Sequence, residues 1–369
     1  MKGEVMGQSD NRSGLTRRHL LGAAGSVLAA ALHRGAAAAQ PAAPGAGPPA
    51  GGAQAFGTPP ATDIRTELKR LSPSVLAFLQ REAPGQSNFS VSNFGIVEGP
   101  KTLLAIDAGG GPQHARNFLK AAQTLGKPVD RVVITHEHPD HSVGLPVFPA
   151  GIEIIAQEET RAQMVRMGTP ATPAYWKTNP AWGNANDVNR VVLPTVTFHD
   201  RMSLYYGDTK VDFERPGKAH TSGDALIYVR SARIVFMGDI AFFGVTPLLS
   251  SGYVQDWIKV CDATLQDPQV DVIVPGHGPV GGKQDLTEMR DYLALVLGAA
   301  RKGLAAGIGA GRAAAELDLG KYATWTDPDR VVNNMARAYA ELRGTIGAEG
   351  DREATRQAVT EYNQLKARP

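Results

Sequence analysis

The run Thr135-His136-Glu137-His138-Pro139-Asp140-His141 places three imidazoles and a carboxylate within six positions, from 136 to 141. Nitrogen and oxygen donors at this density are what a borderline divalent ion such as zinc takes as ligands. An apolar stretch, Arg131 to Ile134, precedes them and reads as a buried strand. Alternation at the strand's end lets His136 and His138 converge on one ion, and the turn forced by Pro139 swings Asp140 and His141 toward another. One cluster can therefore seed two metal sites.

Further donors follow other strand-like runs. His220 stands in Gly217-Lys218-Ala219-His220-Thr221-Ser222-Gly223-Asp224, Asp239 in Met237-Gly238-Asp239, and His277 in Val274-Pro275-Gly276-His277-Gly278. Each sits beside or near a glycine, which lets backbone approach closely without a Cβ clash. The pair His136-Glu137 also begins like the H-E-x-x-H helix of zinc proteases. That motif needs histidine at position 140 and an unbroken helix, whereas here Asp140 follows Pro139.

HxHxDH, then HTxGD, then GD, then PGHG, in this order and each after a strand-like run, resembles the metallo-β-lactamase superfamily over roughly residues 90 to 280. The resemblance implies an αββα sandwich, two sheets face to face with helices outside. It implies a first metal site of His136, His138 and His220 and a second of Asp140, His141 and His277, with Asp239 bridging. The ligand set is glyoxalase-II-like. Two zinc ions about 3.5 to 4 Å apart would hold a bridging water, lower its pKa toward 7 and polarise the bond under attack. Iron or manganese fits the same donors. Asp140 and Asp239 are then the catalytic carboxylates, Asp140 also orienting the nucleophile. Thr221 and Asp224 are candidates for fixing ligand geometry from behind, or for capping the turn after His220.

What the resemblance implies about the reaction is coarser. Hydrolysis of an ester, thioester, lactone or amide-like bond of a small molecule is the expected activity, with β-lactamase, phosphodiesterase and sulfate-ester hydrolase as alternatives. Aspartate at 239 differs from the cysteine or histidine of many true β-lactamases. A metal-binding accessory protein without turnover is the reading from another class. The segment Thr169 to Asn189, with Trp176 and Trp182, lies between the first and second ligand groups. Those two indoles are candidates for contact with an apolar substrate, or for anchoring the loop.

The elements that must position these residues read as mixed. Short β-branched runs at Phe94–Val97, Leu103–Ile106, Arg131–Ile134, Ile152–Ala156, Lys210–Phe213, Ala225–Val229, Ile234–Met237 and Val270–Val274 predict strands. Helical spacing covers His114–Leu125, Glu158–Met167 and Val254–Leu265, so the body reads as an α/β layered domain over 62–283. Extra C-terminal helices are expected on its flank over 284–343, from the patterns Leu286–Ala305 and Val331–Leu342, followed by a charged tail over 344–369. Gly307-Ile308-Gly309-Ala310-Gly311 follows no strand and reads as a turn between helices. His114 and His199 stand outside every motif and read as solvated or hydrogen-bonded side chains.

The N-terminus reads as an address. Arg17 and Arg18 precede the apolar run Leu20 to Leu32, with small residues at Ala36 to Ala39, so residues 1–39 resemble a twin-arginine signal peptide. The run is too short to be a stable membrane anchor, which needs roughly 20 residues. The expected partners are the twin-arginine export machinery and a small-molecule substrate, and the expected place is the periplasm. Residues 40–61, nearly all Ala, Pro, Gly and Gln, read as a disordered linker. The 369 residues are 43% hydrophobic, enough for a sizeable core, and carry a formal charge of +2. Loss of the five basic and two acidic residues before Gln40 leaves a near-neutral body. Such a body offers no electrostatic footprint for nucleic acid. A lone Cys261 excludes an internal disulfide.

Overall fold

The apolar strands alternate, and the alternation decides the layers. In the computed structural model, which describes residues 65–81, 92–168, 191–347 and 351–367, Leu104 and Ile106 of β4 (Leu103–Ile106) face a core between two sheets. Leu103 and Ala105, one residue out of phase, face the helical layer outside. The same division holds for β11 (Ile234–Phe242), where Ile234 and Phe236 point between the sheets and Val235 and Met237 toward the opposite helices. A strand apolar on both faces must be covered on both. Full burial of each such side chain contributes about 1.5–3 kcal/mol.

Two sheets result. The first has seven strands in the order β1 (Arg65–Ser72), β2 (Val75–Arg81), β3 (Phe94–Glu98), β4, β5 (Val129–Ile134), β6 (Glu153–Gln157) and β7 (Val196–Phe198). It is antiparallel as far as β4 and parallel from there on. The second has five, in the order β12 (Val272–His277), β11, β10 (Leu226–Val229), β9 (Thr209–Glu214) and β8 (Arg201–Tyr206), with β11 and β12 parallel. Helix α1 (Pro112–Gln123) and α3 (Glu158–Met167) cover the first sheet through Phe118 and Met164.

On the second sheet lie α4 (Val254–Gln266) and α5 (Lys283–Ala305), with α7 (Val331–Arg343) packed against α5, burying Trp257, Met289, Tyr292, Leu293, Met335 and Tyr339. Two sheets face to face with helices outside, and further helices after the last strand, are the layers the sequence led us to expect. Among the described residues no helix is long and apolar enough to cross a membrane.

The strands missing from the sequence reading are β1, β2, β7 and β8. β1 carries Glu67, Lys69 and Arg70 at the sheet's edge, and β8 alternates exposed and half-buried residues, so neither shows an apolar run. The expected end of a strand at Met237 also shifts. β11 continues to Phe242 through an irregularity at Gly238, whose φ is +49°. A Cβ there would stand 2.6 Å from Thr135 Oγ1, so only glycine lets this kink pass the ligand-bearing loop. Within the stretch read as a charged tail, α8 (Asp351–Lys366) buries Ala358 and Tyr362, and the Tyr362 hydroxyl donates to Asp329 Oδ1 at 2.7 Å. Helix α6 (Ala310–Ala315) follows the turn at Gly307 to Gly309. The signal and linker stretches and the segment with Trp176 and Trp182 lie outside the described residues.

Candidate metal centre

The sheets end their strands on one side, and the donors gather there. His136 follows β5 after one residue, Thr135; Pro139 to Ser142 form a single helical turn, α2, with proline at its first position, where no amide hydrogen is needed. Asp239 lies within β11 beyond the Gly238 kink, and His277 closes β12. His220 comes from the turn between β9 and β10. Two groups of donors arise, His136, His138, His220 and Asp239 in one, Asp140, His141, Asp239 and His277 in the other, with the donor atoms of each group within 4.8 Å of one another.

Asp239 belongs to both, and its two oxygens divide between them. Oδ2 lies 3.2 Å from His220 Nε2 and 3.8 Å from His136 Nε2. Oδ1 lies 2.9 Å from His141 Nε2 and 3.3 Å from His277 Nε2. Asp140 Oδ2 is 3.0 Å from His277 Nε2 and 3.7 Å from His141 Nε2. Gly276 must be glycine because a Cβ would collide with Asp239 Oδ1.

The donor set fits a cation by a test of satisfaction. His136 Nε2, His141 Nε2 and Asp239 Oδ1 are buried and make no hydrogen bond. Buried polar atoms cost about 1–3 kcal/mol each when left so, and here three of them converge. Burial holds His136 and His138 below the ordinary histidine pKa and pushes His220 down to about 3, so all three stay neutral, the state in which imidazole ligates. At the second group burial again opposes charge, but Asp239 and the other carboxylates outweigh it, holding His141 above its usual value and His277 up at about 9. Carboxylates at Asp239 and Asp140 are correspondingly held ionised by the imidazoles despite their burial. The cluster demands positive charge.

The sequence profile of the metallo-beta-lactamase superfamily matches residues 88–277, just over half of the chain, and ends on the last donor, His277. The chain belongs to that superfamily.

A linear primary-alkylsulfatase of Pseudomonas sp. (strain ATCC 19151) is 25% identical over 240 residues, 54% of this chain and 45% of that one. An acyl-coenzyme A thioesterase of Gallus gallus is 26% identical over 214 residues, 53% of this chain and 75% of that one. The chain spans about half the length of two of the curated relatives it matches. A solved metallo-beta-lactamase from Pontibacter korlensis, 22% identical, superposes with a TM-score of 0.50 over 62% of this chain and 99% of that one, a likeness of fold.

Within this metallo-beta-lactamase fold, several residues that hold the donors escaped the sequence reading. Asp107, just past β4, accepts from Thr135 N at 2.8 Å and from His141 Nδ1 at 2.8 Å. It does so with a φ of +66°, rare for a side chain other than glycine, asparagine or aspartate. Its one sequence signal is a carboxylate at the end of an apolar strand, before Gly109-Gly110-Gly111. Asn93 donates to Pro275 O at 2.9 Å and Gly278 O at 2.8 Å, bracketing His277, while its Oδ1 accepts from Gln80 N at 3.1 Å. Ser92 Oγ donates to Asp140 O at 2.5 Å. Ser251 Oγ lies 3.2 Å from His138 Nε2.

Thr221 and Asp224 act on the backbone. Asp224 accepts from Thr221 N at 2.8 Å and from Thr221 Oγ1 at 2.7 Å, closing the turn that carries His220. Neither touches a donor ring among the hydrogen bonds of this turn. His114, read as solvated or hydrogen-bonded, is fully buried with its ring edge-on to Phe94 at 4.6 Å. His199 is exposed beside Asp200.

Proposed function

We propose that this protein is a metal-dependent hydrolase of small molecules that holds two divalent cations, zinc by the chemistry of its donors. The observation that carries the reading is Asp239, whose two oxygens face two separate groups of imidazoles. His136, His138 and His220 would hold one ion and Asp140, His141 and His277 the other, with the Asp239 carboxylate bridging and offsetting the repulsion between dications. A bound pair of such ions supplies acidified water as nucleophile and stabilises charge developing on the bond under attack. The protein's own part is orientation. Asp140, with a side-chain exposure of 17% where the other carboxylate has 5%, stands at the open side of the cluster and can accept a hydrogen bond from the attacking water.

Ester, thioester and sulfate-ester bonds head the substrate classes, since an alkylsulfatase and an acyl-coenzyme A thioesterase are among the relatives. Lactones, β-lactams and phosphodiesters complete the test. The screen uses the metal-loaded protein against all six classes. Turnover in one class, lost with chelator and restored by zinc, is the expected result. Full metal occupancy without hydrolysis of any class would leave the accessory-protein reading standing instead.

Delivery to the periplasm by the twin-arginine machinery belongs to the same proposal, with residues 62–283 as the catalytic domain and 284–343 as its helical flank. Changing Arg17 and Arg18 together to lysine should keep the protein in the cytoplasm. Unchanged export would remove the assignment.

A further inference from the structure

His138 poses a question of protons. Its Nδ1 faces the cluster, 2.8 Å from His220 Nε2, and a cation there needs that nitrogen's lone pair. A neutral imidazole carries one proton, so Nε2 must hold it, and the partner of Nε2 decides whether it does. That partner is Ser251 Oγ at 3.2 Å. Ser251 is half-buried on the irregular segment between β11 and α4.

One stripe of a C-terminal helix grips this segment at several points, alongside the backbone bonds from Thr246 N to Thr326 O and from Tyr253 N to Ala219 O. Residues 330, 334, 337 and 341, spaced by four, three and four, lie on one face of α7 and its N-terminal entry. Arg330 donates to Thr246 O at 2.9 Å and is itself fixed by Asp327 at 2.7 Å. Asn334 donates to Pro247 O at 2.8 Å and accepts from Leu249 N at 3.0 Å. Arg337 Nε donates to Gly252 O at 2.7 Å. Glu341 accepts from Val254 N at 2.6 Å and Gln255 N at 3.1 Å. Ser251 thus sits between two gripped positions, Leu249 and Gly252.

We propose that α7 is a positioning element of the metal centre: its polar stripe holds residues 246–255 so that Ser251 Oγ accepts the Nε2 proton of His138 and leaves Nδ1 free for a cation. The helices added after the catalytic layers then set the tautomer of a ligand rather than merely covering the sheet. The inference rests on reading His138 as a ligand. Its consequence for the ring holds in the metal-free protein as well, and that separates the two.

The experiment uses the full mature chain with ¹⁵N-labelled histidine. In the metal-free wild type, the His138 ring, assigned by its loss in His138→Gln, should show the Nε2–H form. Ser251→Ala should introduce the Nδ1–H form and weaken zinc binding, read by competition with a chelator, by roughly 10-fold. Ser251→Thr, which keeps the hydroxyl, should restore both. Arg337→Met, which keeps the stem and loses the donor to Gly252, should shift ring and affinity the same way. In the double variant with Ser251→Ala it should cost little further affinity, because both act through one contact.

The proposal is overturned if Ser251→Ala leaves the His138 ring unchanged, or if the two losses add in full. It is equally overturned if Arg337→Met and Glu341→Gln lower the melting temperature while ring and affinity stay put, which is what a merely structural stripe would do. A wild type with the Nε2–H form that binds no zinc would sink the ligand reading while supporting the role of Ser251.

Discussion

His141 Nδ1 donates to Asp107 Oδ2 at 2.8 Å while the opposite nitrogen of the same ring lies 2.9 Å from Asp239 Oδ1. The ring is thereby held between a carboxylate behind it and, in front, the carboxylate that both donor groups share. The rear carboxylate fixes the proton on Nδ1 and turns Nε2 toward the cluster.

Removing the rear carboxylate should therefore weaken metal binding without moving a ligand. Asp107→Asn keeps a residue that tolerates the positive φ, and should lower zinc affinity by about 10–100-fold, read by chelator competition. Asp107→Ala also orphans the Thr135 amide and strains the backbone, so it should cost roughly 1–3 kcal/mol more in chemical unfolding of the metal-free protein. Equal stability of the two variants would argue against strain at this position.

Asp239→Asn keeps the shape and removes the charge that lies between the two donor groups. Metal analysis should find at most one ion per chain, and hydrolysis of the best substrate should fall by at least about 100-fold. Two ions and near-normal turnover in this variant would reduce Asp239 to a structural residue.

Because the donors repel or leave one another unsatisfied without a cation, metal removal should destabilise the whole domain. A ligand present at 100 times its Kd and bound only to the folded state adds about 2.7 kcal/mol. Thermal unfolding with and without zinc should show a rise in melting temperature that grows with zinc concentration. Identical curves would be incompatible with the proposed centre.

Asn93 ties the first sheet to the turn of His277 through the two carbonyls it donates to and the amide it accepts from. Asn93→Ala should leave buried carbonyls without donors and lower stability by roughly 2–4 kcal/mol. Loss of the second metal ion should accompany it, measured by metal analysis at saturation.

The two histidines outside the cluster should behave differently. His114→Gln replaces a ring packed on Phe94 in the core and should destabilise by about 1–3 kcal/mol, whereas exposed His199→Gln should stay within about 0.5 kcal/mol. Calorimetry of the two variants decides it, and His199→Gln is the proper control for activity.

The sequence by itself singled out the seven side chains that the fold gathers, because candidate metal donors are uncommon residue types in tight order: His136 to His141 declare themselves within six positions, and His277 within the turn Pro275 to Gly278. It also determined the layers, since β4, β5 and α5 carry their apolar periodicity locally. Edge strands β1 and β8 escaped because half-exposed strands bury too little to leave such a pattern. Only the tertiary structure decided what holds the donors. Asp107, Ser251 and Asn93 are ordinary polar residues, standing 34, 113 and 182 positions from their partners His141, His138 and Pro275. A hydrogen bond is specified by distance and direction in space, and neither is written in residue type. The same holds for α7, whose polar residues Asn334, Arg337 and Glu341 become a grip only when the fold lays residues 246–255 against them.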